Sequence, residues 1–402
     1  MKSSMNLVVV ISIFFIFLSV HAAENRNPQW KGTIEEENGV KVIKNPDKPL
    51  YGEITFEQEE DMVIGNENDE NSRFYKWLSL DVDRDGNIYV LDRGSFRIQK
   101  FDKKGKYLKT MGREGQGPGE FSQPNYITLD EEGNVYVKDG TKAHIFDSED
   151  QFLRSFPIPL NSDFFKITKE GNFLGERMII MPPDELSEDV VLMNDKGTVL
   201  KEIASFPSIR MDSMFNRKDR FAIHVPELCF CPSIQDYAVY GFPSEYRLFV
   251  VDSRGEVKKI IIKDEPAEKI SGKEREKIID VLMDNIKSRK SARQEPRGEL
   301  EKKVLISKFR PFFDEIRLDE EGHIYAEKLK SYLSEDKGYE FDFFNNEGHY
   351  LYKVKIPEGI SNLNVIKWGC VFSAPYNRKT EYFQVKRYKI KNWEQIKTHT
   401  HF

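Results

Sequence analysis

Three histidines are the side chains best suited to metal chemistry in this chain: His144, His224 and His323. Imidazole nitrogens commonly bind zinc, and three protein ligands with one open position form a catalytic metal site. The three residues are far apart in the sequence, so they could act together only if the fold brings three segments to one point. A metal site built from these three histidines is therefore one hypothesis.

Cysteine chemistry is limited by number, because the chain has only Cys229, Cys231 and Cys370. A direct bridge within Cys-x-Cys would be strained, since both side chains point to one face of a strand. One of the two could pair with Cys370, or all three could be buried as small apolar side chains. As metal ligands they are one short of a closed tetrahedral site.

The strands that position these residues are predicted by a repeated sequence motif. DRDGNIYV at Asp83–Val90 returns 47 residues later as DEEGNVYV at Asp130–Val137. Each copy has an apolar strand, an Asp-x-x-Gly turn, an alternating strand, a polar loop and a further hairpin. Repeats with a period in the forties and four strands each are typical of propeller blades. In this repeat His323 takes the place of Asn87, at the edge of a turn, and His144 falls in a third strand, away from the axis.

Weaker copies continue along the chain at 163–206, 237–255, 319–351 and 365–388. With two clear copies at 78–156, a length of about 380 residues after a leader suits six blades. We therefore predict an all-β, six-bladed propeller of four-stranded antiparallel blades over 24–402. Two strand-like stretches before the first blade, Gly39–Ile43 and Glu53–Phe56, suggest that one of them completes the last blade and closes the ring.

One segment, 266–303, departs from the β pattern. Ser271 and Glu274 form a capping box, and the apolar residues behind them follow a helical period over about five turns. The helical insertion could be a lid or docking element on the propeller, or a helix lying against the flank of one blade.

The linker between the two clear repeats, GREGQGPGEFSQP at Gly112–Pro124, carries a family resemblance. Together with the flanking strands it resembles the NHL repeat, and the chain is similar to secreted six-bladed NHL-like propellers of bacteria. That resemblance implies a six-bladed ring; some relatives are metal-dependent lyases, and related six-bladed rings are lactonases, with the metal in the central channel. The glycines are a poor phosphate cradle, because no helix and no Lys-Ser or Lys-Thr follows them.

The N-terminus predicts export. Lys2, an apolar run over 7–20 and the small residues Ala22 and Ala23 match a secretory signal peptide at 1–23. We expect a secreted or periplasmic monomer, held at a membrane only if the signal stays uncleaved. A net charge of −6, from 61 basic and 67 acidic residues, disfavours nucleic acid as a partner.

Strand alternation predicts where a ligand would bind. The linker into a blade and the loop between its second and third strands lie at the same end of the blade, so they form one rim of the ring. Loops at such a mouth can vary while the blades stay fixed. The polar candidates on this rim are Arg93, Arg113, Glu120, Asn125 and Lys142.

Repeated aspartates at the strand ends are assigned to turn chemistry rather than catalysis, because they recur from blade to blade. We find no nucleophile motif and no sequence requirement for a cofactor. The sequence therefore favours a non-enzymatic scaffold that presents its rim to a protein, peptide or glycan. The alternative is a metal-dependent lyase or lactonase-like hydrolase with its site in the central channel.

Overall fold

The protein is described from a computed structural model that covers residues 28–159, 164–181, 185–208, 221–288 and 296–400. The predicted signal peptide, 1–23, lies outside these residues. The described chain begins with four strands that precede the first repeat: β1 (Thr33–Glu37), β2 (Val40–Asn45), β3 (Glu53–Thr55) and β4 (Gln58–Ile64).

Blades I to III each come from one continuous stretch of chain. Their strands are β5 (Leu78–Val82), β6 (Ile88–Asp92), β7 (Arg97–Phe101), β8 (Tyr107–Met111), β9 (Pro124–Leu129), β10 (Val135–Asp139), β11 (Lys142–Phe146), β12 (Phe152–Pro157), β13 (Phe165–Ile167), β14 (Phe173–Met181), β15 (Glu185–Met193) and β16 (Val199–Pro207). In each blade the four strands are antiparallel neighbours in chain order.

Blades IV to VI are less regular. Their elements, with the segments between them, are β17 (Phe221–Ile223), β18 (Cys229–Pro232), β19 (Tyr237–Gly241), β20 (Arg247–Asp252), β21 (Val257–Lys263), α1 (Gly272–Ser288), α2 (Arg297–Glu301), β22 (Val304–Ile306), β23 (Glu315–Leu318), β24 (Ile324–Glu327), β25 (Tyr339–Phe344), β26 (Tyr350–Ile356), β27 (Leu363–Lys367), β28 (Cys370–Ser373), β29 (Tyr376–Asn377), β30 (Tyr382–Phe383), β31 (Val385–Ile390) and α3 (Trp393–Thr398).

The six sheets stand around a central axis. Each blade begins with its innermost strand, and these six strands are neighbours around the ring: β5 contacts β9 and β27, β13 and β23 contact β18, and β23 contacts β27. Apolar side chains fill the space between adjacent blades, as where Tyr89 and Leu91 of blade I pack with Ile127 and Val137 of blade II. The prediction of a six-bladed, all-β propeller with a helical insertion is confirmed.

The ring closes through a different strand from the two predicted. β4 is the outermost strand of blade VI, antiparallel to β31, with Ile64 opposite Val385. Gly39–Ile43 and Glu53–Phe56 were the wrong choice: β2 pairs parallel with β21 of blade IV, and β3 pairs parallel with β26 of blade V. The sequence of β4, QEEDMVI, hides its role because three acidic residues stand on its exposed part and only Met62 and Ile64 are buried.

The recurring aspartates organise the hairpin turns, as the repeat pattern indicated. The Asp83 carboxylate accepts hydrogen bonds from the backbone N–H groups of Asp85 (3.0 Å) and Asn87 (2.8 Å). The left-handed φ of 82° at Gly86 lets the chain turn back at that point. Asp102 accepts equivalent bonds from Lys104 and Lys106. These carboxylates satisfy backbone donors that the sheet leaves free.

The insertion forms α1, α2 and β22 and packs on the loops of blades IV and V. Ser271 Oγ accepts a hydrogen bond from the Glu274 N–H (3.1 Å) and so caps α1. The buried Glu274 carboxylate then binds the Arg310 guanidinium (3.0 Å) and accepts the Tyr332 N–H (3.0 Å). β22 pairs parallel with β17, which lies in the linker into blade IV. The helix is thus tied to linkers and loops rather than to the face of a blade.

Candidate functional site

The linkers and the second-to-third-strand loops of blades I and II meet on one rim. Asp139, at the end of β10, accepts hydrogen bonds from the Ser122 N–H (2.9 Å) and from the Gln123 N–H of the incoming linker. Burial works against ionisation of Asp139, but its hydrogen bonds from His144 and from these amides hold its pKa below the usual range. The carboxylate therefore fixes the linker against the loop of the same blade.

Between these loops is a cavity of about 380 Å³, which we call the rim cavity. Its lining residues come from both linkers and both loops of blades I and II: Lys76, Trp77, Arg93, Phe96, Ser122, Gln123, Pro124, Asn125, Lys138 and Gly140. No carboxylate is among these residues. The cavity thus combines aromatic, amide, hydroxyl and cationic groups.

Of the five predicted rim residues, the structure brings two to this cavity. Arg93 is exposed at its lip, and Asn125 lines it, with an Oδ1 atom that is buried and has no hydrogen-bond partner in the described chain. Arg113 and Glu120 instead form an ion pair with each other (2.7 Å), outside the cavity. Lys142 is exposed at the start of β11 and does not line the cavity.

Sequence reasoning missed Trp77, Phe96 and Lys76. Trp77 is 62% exposed although tryptophan usually buries most of its surface, and it stands at the end of a polar linker, immediately before β5. That isolated tryptophan was the available signal. Phe96 has a φ of 55°, which is uncommon for a bulky side chain. Lys76 lies along Gly94, where a Cβ atom would come 3.0 Å from the lysine side chain.

More aromatic side chains continue along the rim toward blade VI. Tyr75 is 47% exposed and its ring lies 5.3 Å from that of Tyr382. Tyr376 is 48% exposed and packs on Phe383, whose ring is also 5.9 Å from Trp77. This patch comes from the linker into blade I and from the β29–β30 hairpin of blade VI. Exposed aromatic groups in a cluster mark a surface suited to binding.

The larger cavity, about 840 Å³, occupies the central channel. It is lined by residues of β5, β9, β18, β23 and β27 and by the rim-side part of β14 and β15. Asn125 and Lys138 line both this channel and the rim cavity, so the two spaces adjoin. No residue of α1 or α2 is among the lining residues of the channel.

Several charged groups of the channel wall form ion pairs. Asp81 of β5 forms a buried ion pair with Lys367 of β27 and accepts the Leu129 N–H (2.9 Å), so it joins the inner strands of three blades. Arg177 pairs with Asp189 (3.1 Å). These pairs hold the wall together and present no nucleophile with an adjacent base.

One carboxyl group near the channel has a strongly shifted pKa. Burial raises the pKa of Glu327 to about 7, although the Arg317 guanidinium, 3.1 Å away, acts in the opposite direction. Glu315, 2.8 Å from the same guanidinium, adds repulsion to Glu327. Glu327 is not among the channel-lining residues, so it has no direct access to a ligand there.

The three histidine candidates lie in separate surroundings. His144 is buried in β11 between Asp139 (3.3 Å) and Ser155 (3.3 Å). His323 binds the Asp319 carboxylate through Nδ1 (2.8 Å), and this bond raises its pKa despite burial. It makes the contact that asparagine makes in blades I and II.

His224 lies beside α1 and lines neither the channel nor the rim cavity. Its Nε2 atom is 3.9 Å from a Glu274 carboxylate oxygen, and its ring meets that of Tyr332 edge-on. Burial and the neighbouring Arg310 lower the pKa of His224 to about 4, so the ring is neutral at ordinary pH. The structure therefore brings none of the three histidines together with another.

The cysteines are free thiols. Cys229 and Cys231 line the channel, and Cys229 Sγ donates to the carbonyl oxygen of Asp314 (3.2 Å). Burial raises the pKa of Cys231 to about 12 and that of Cys229 well above its usual value. Both are thus protonated and weak nucleophiles.

Within ranges 28–159, 164–181, 185–208, 221–288 and 296–400, no group of three or more His, Cys, Asp or Glu side chains is arranged to hold a metal ion. In the same ranges, no helix has the length and apolar character needed to span a membrane.

With its six antiparallel blades and closed ring, the chain is a six-bladed β-propeller. Residues 79–270 match the profile of the family DUF5128, described as 6-bladed beta-propeller.

The chain is similar to several solved structures. A Bacteroides fragilis protein assigned as exported shares 10% identity, with 87% of this chain and 99% of that one covered and a TM-score of 0.51. A DUF4221 member of Bacteroides vulgatus gives 13% identity, 83% and 98% coverage and a TM-score of 0.45. Virginiamycin B lyase of Staphylococcus aureus shares 10% identity, with 83% of this chain and 99% of that one covered and a TM-score of 0.39. At such identities the first similarity concerns the fold alone, and the other two carry no argument about function.

Proposed function

We propose that this chain is a non-enzymatic binding protein that acts outside the cytoplasm and holds a protein, peptide or glycan at its loop-rich rim. The observation that carries this proposal is the rim cavity, in which an exposed tryptophan, Trp77, stands beside Arg93 and polar side chains. Small-molecule sites have this composition, with apolar walls and a few placed polar groups.

The surrounding structure supports a rigid binding site. The loop of blade II is fixed by Asp139, and the linker into blade II is held by the Phe121 N–H, which donates to Arg113 O (2.8 Å). A cavity built on anchored loops binds its ligand with little loss of conformational entropy. Exposed aromatic groups such as Trp77 and Tyr376 contribute little to the core, so their place on the rim favours recognition.

The test is a binding screen with recovery of the ligand. The purified protein, residues 24–402, would be applied to arrays of oligosaccharides and peptides, and each hit would be titrated by calorimetry with and without a chelator. We expect saturable binding that the chelator does not change and a ligand whose mass is unchanged after incubation. Conversion of the ligand, lost with the chelator, would overturn the proposal in favour of the metal-dependent lyase or hydrolase.

The proposed location has its own test. The sequence features at 1–23 support export, and N-terminal sequencing of the natural protein from the periplasm or medium should begin near Glu24. Recovery of an intact N-terminus from the cytoplasm would contradict this part of the proposal.

A further inference from the structure

We infer that the rim cavity binds an acidic saccharide unit, a sugar ring that carries a carboxylate. The inference rests on the proposed binding function and specifies its ligand class. At about 380 Å³ the cavity lies near the lower end of the range for ligand pockets, so it suits one or two rings rather than a folded protein segment.

The aromatic wall supplies a surface for the ring of the sugar. Trp77 is 62% exposed and lines the cavity together with Phe96. The negative face of an aromatic ring attracts the weakly positive C–H groups of a pyranose. The φ of 55° at Phe96 is a strained conformation, and such strain concentrates at binding sites. The wall therefore favours a ligand with a flat, C–H-bearing face.

The charge of the cavity favours an anion. Arg93 and Lys76 are exposed at its lip, and no Asp or Glu is among its described lining residues. Within the described chain Arg93 forms no ion pair, whereas Arg113 on the same rim is neutralised by Glu120 at 2.7 Å. A guanidinium binds a carboxylate through two parallel hydrogen bonds. Arg93 is therefore placed to bind the acid group.

The polar wall favours a ligand that also donates hydrogen bonds. Asn125 Oδ1 is buried and accepts no hydrogen bond in the described chain. A buried acceptor without a donor is costly, and a ligand hydroxyl can satisfy it if the Asn125 side chain turns this oxygen, which is shielded from solvent in the structure, into the cavity. Ser122 and Gln123 add a hydroxyl and an amide to the same wall. Inorganic phosphate at neutral pH lacks the ring and most of the donors that this wall could use, but a sugar acid has both.

A longer chain has room to continue. Asn125 and Lys138 line both the rim cavity and the channel, so a saccharide bound beside Trp77 can extend over the shared wall toward the larger space. The channel wall also carries Glu176, Glu188 and Glu315, so in a longer saccharide we expect the acidic unit to lie in the rim cavity rather than in the channel.

The experiment uses a matched pair of probes. Trigalacturonate and its fully methyl-esterified form have the same rings but differ in charge, and each would be titrated into the 24–402 protein by calorimetry at low salt. We expect the acid to bind at least about tenfold more tightly than the ester. Added salt should lower the affinity for the acid and leave the affinity for the ester unchanged. Adenosine monophosphate serves as an aromatic anion of another class.

Variants locate the site. Trp77→Ala should abolish binding of both probes, and Arg93→Gln should reduce the affinity for the acid to that for the ester. Arg113→Gln, a rim arginine that is 81% exposed, and Phe309→Ala, an aromatic residue that is 42% exposed, should change neither affinity because neither residue lines the cavity. All four variants should melt within a few degrees of the parent protein.

The outcomes separate this inference from the proposed function. If peptides or neutral glycans bind through Trp77 and acids bind no better than esters, the acidic class is wrong while the binding function stands. If the acid binds but Trp77→Ala and Arg93→Gln have no effect, the site is wrong. Tighter binding of adenosine monophosphate, with the same variant pattern, would reassign the cavity to nucleotides. If no probe of any class binds, both proposals fail.

Discussion

The two halves of the ring are stabilised by different kinds of contact. Blades I to III are four-strand repeats of continuous chain, with short-range hydrogen bonds from backbone N–H groups to turn aspartates such as Asp83 and Asp102. Blades IV to VI all take strands from the N-terminal segment 33–64, and the helical insertion lies on linkers and loops of blades IV and V. We call these the regular half and the belted half.

The difference indicates where a ligand can approach. In the belted half, α1 is tied to the loops around Tyr332 and to the linker at Arg310. In the regular half nothing in the described chain covers the rim cavity, and Arg93 and Trp77 reach solvent. The strands of the N-terminal segment and the rim cavity thus belong to different blades of the ring.

The largest expected effect comes from removing the belt. A chain that begins at Gly65 loses β2, β3 and β4, which exposes the edges of blades IV, V and VI. The loss should exceed the whole stability of a typical domain, about 5–15 kcal/mol, and leave no cooperative thermal transition. A chain that begins at Asn38 loses only β1, whose residues are all exposed, and should melt like the parent by circular dichroism. Cooperative melting of the shorter chain would show that the belt is dispensable.

The belt also shows what the sequence could and could not predict. The Asp-x-x-Gly spacing predicted the blades because each turn is a local structure, complete within five residues. The closing strand was missed because burial of Met62 and Ile64 depends on a partner, Val385, more than 300 residues away. Arg93 and Asn125 were placed on the rim by strand alternation alone. Trp77 and Phe96 were not, because the cavity depends on how the loops of two blades approach each other.

The next largest loss of stability is expected when a buried charge of the belted half is removed. The Asp342 carboxylate is fully buried, binds Lys263 (2.8 Å) and accepts the Tyr246 hydroxyl (2.6 Å). Removing it leaves the buried Lys263 ammonium with Glu265 (2.7 Å) as its remaining carboxylate and leaves the buried Tyr246 hydroxyl without its acceptor. Asp342→Ala should therefore lower the free energy of unfolding by about 3 kcal/mol in urea titrations. Glu347→Ala breaks an exposed pair with Lys41 and should cost less than about 1 kcal/mol. Equal costs for the two variants would contradict this account.

The stability of the belted half should depend on pH through Glu327. The folded-state pKa of Glu327 is raised to about 7, above its value in the unfolded chain. Between pH 4.5 and 7 the unfolded chain therefore binds fewer protons at this group, and stability should fall as pH rises, by up to about 3 kcal/mol. Glu327→Gln should remove that part of the fall, measured as the difference between variant and parent in urea midpoints at pH 4.5 and 7.5. An unchanged difference across this range would show that Glu327 ionises normally.

The smallest changes in the free energy of unfolding are expected in the regular half, at one repeat position that is occupied by Asp139 in blade II and by Asp92 in blade I. Asp139 accepts hydrogen bonds from Ser122, Gln123 and His144, and an asparagine there cannot satisfy all of these donors. Asp139→Asn should therefore lower the free energy of unfolding by about 1–2 kcal/mol.

Asp92 occupies the same position in blade I but has fewer bonds: it accepts the Gly94 N–H at 3.2 Å, and its Oδ2 atom is buried with no hydrogen-bond partner in the described chain. Burial raises the pKa of Asp92, although the Arg97 guanidinium lies 3.6 Å from its Oδ2 atom, so removing the charge should cost less here than at Asp139. Asp92→Asn should change the free energy of unfolding by less than about 0.5 kcal/mol. A larger loss would mean that the loop bearing Arg93 is anchored as firmly as its counterpart in blade II. A small one would mean that this side of the rim cavity is the less constrained, and the side whose Arg93 can adjust to an acid group.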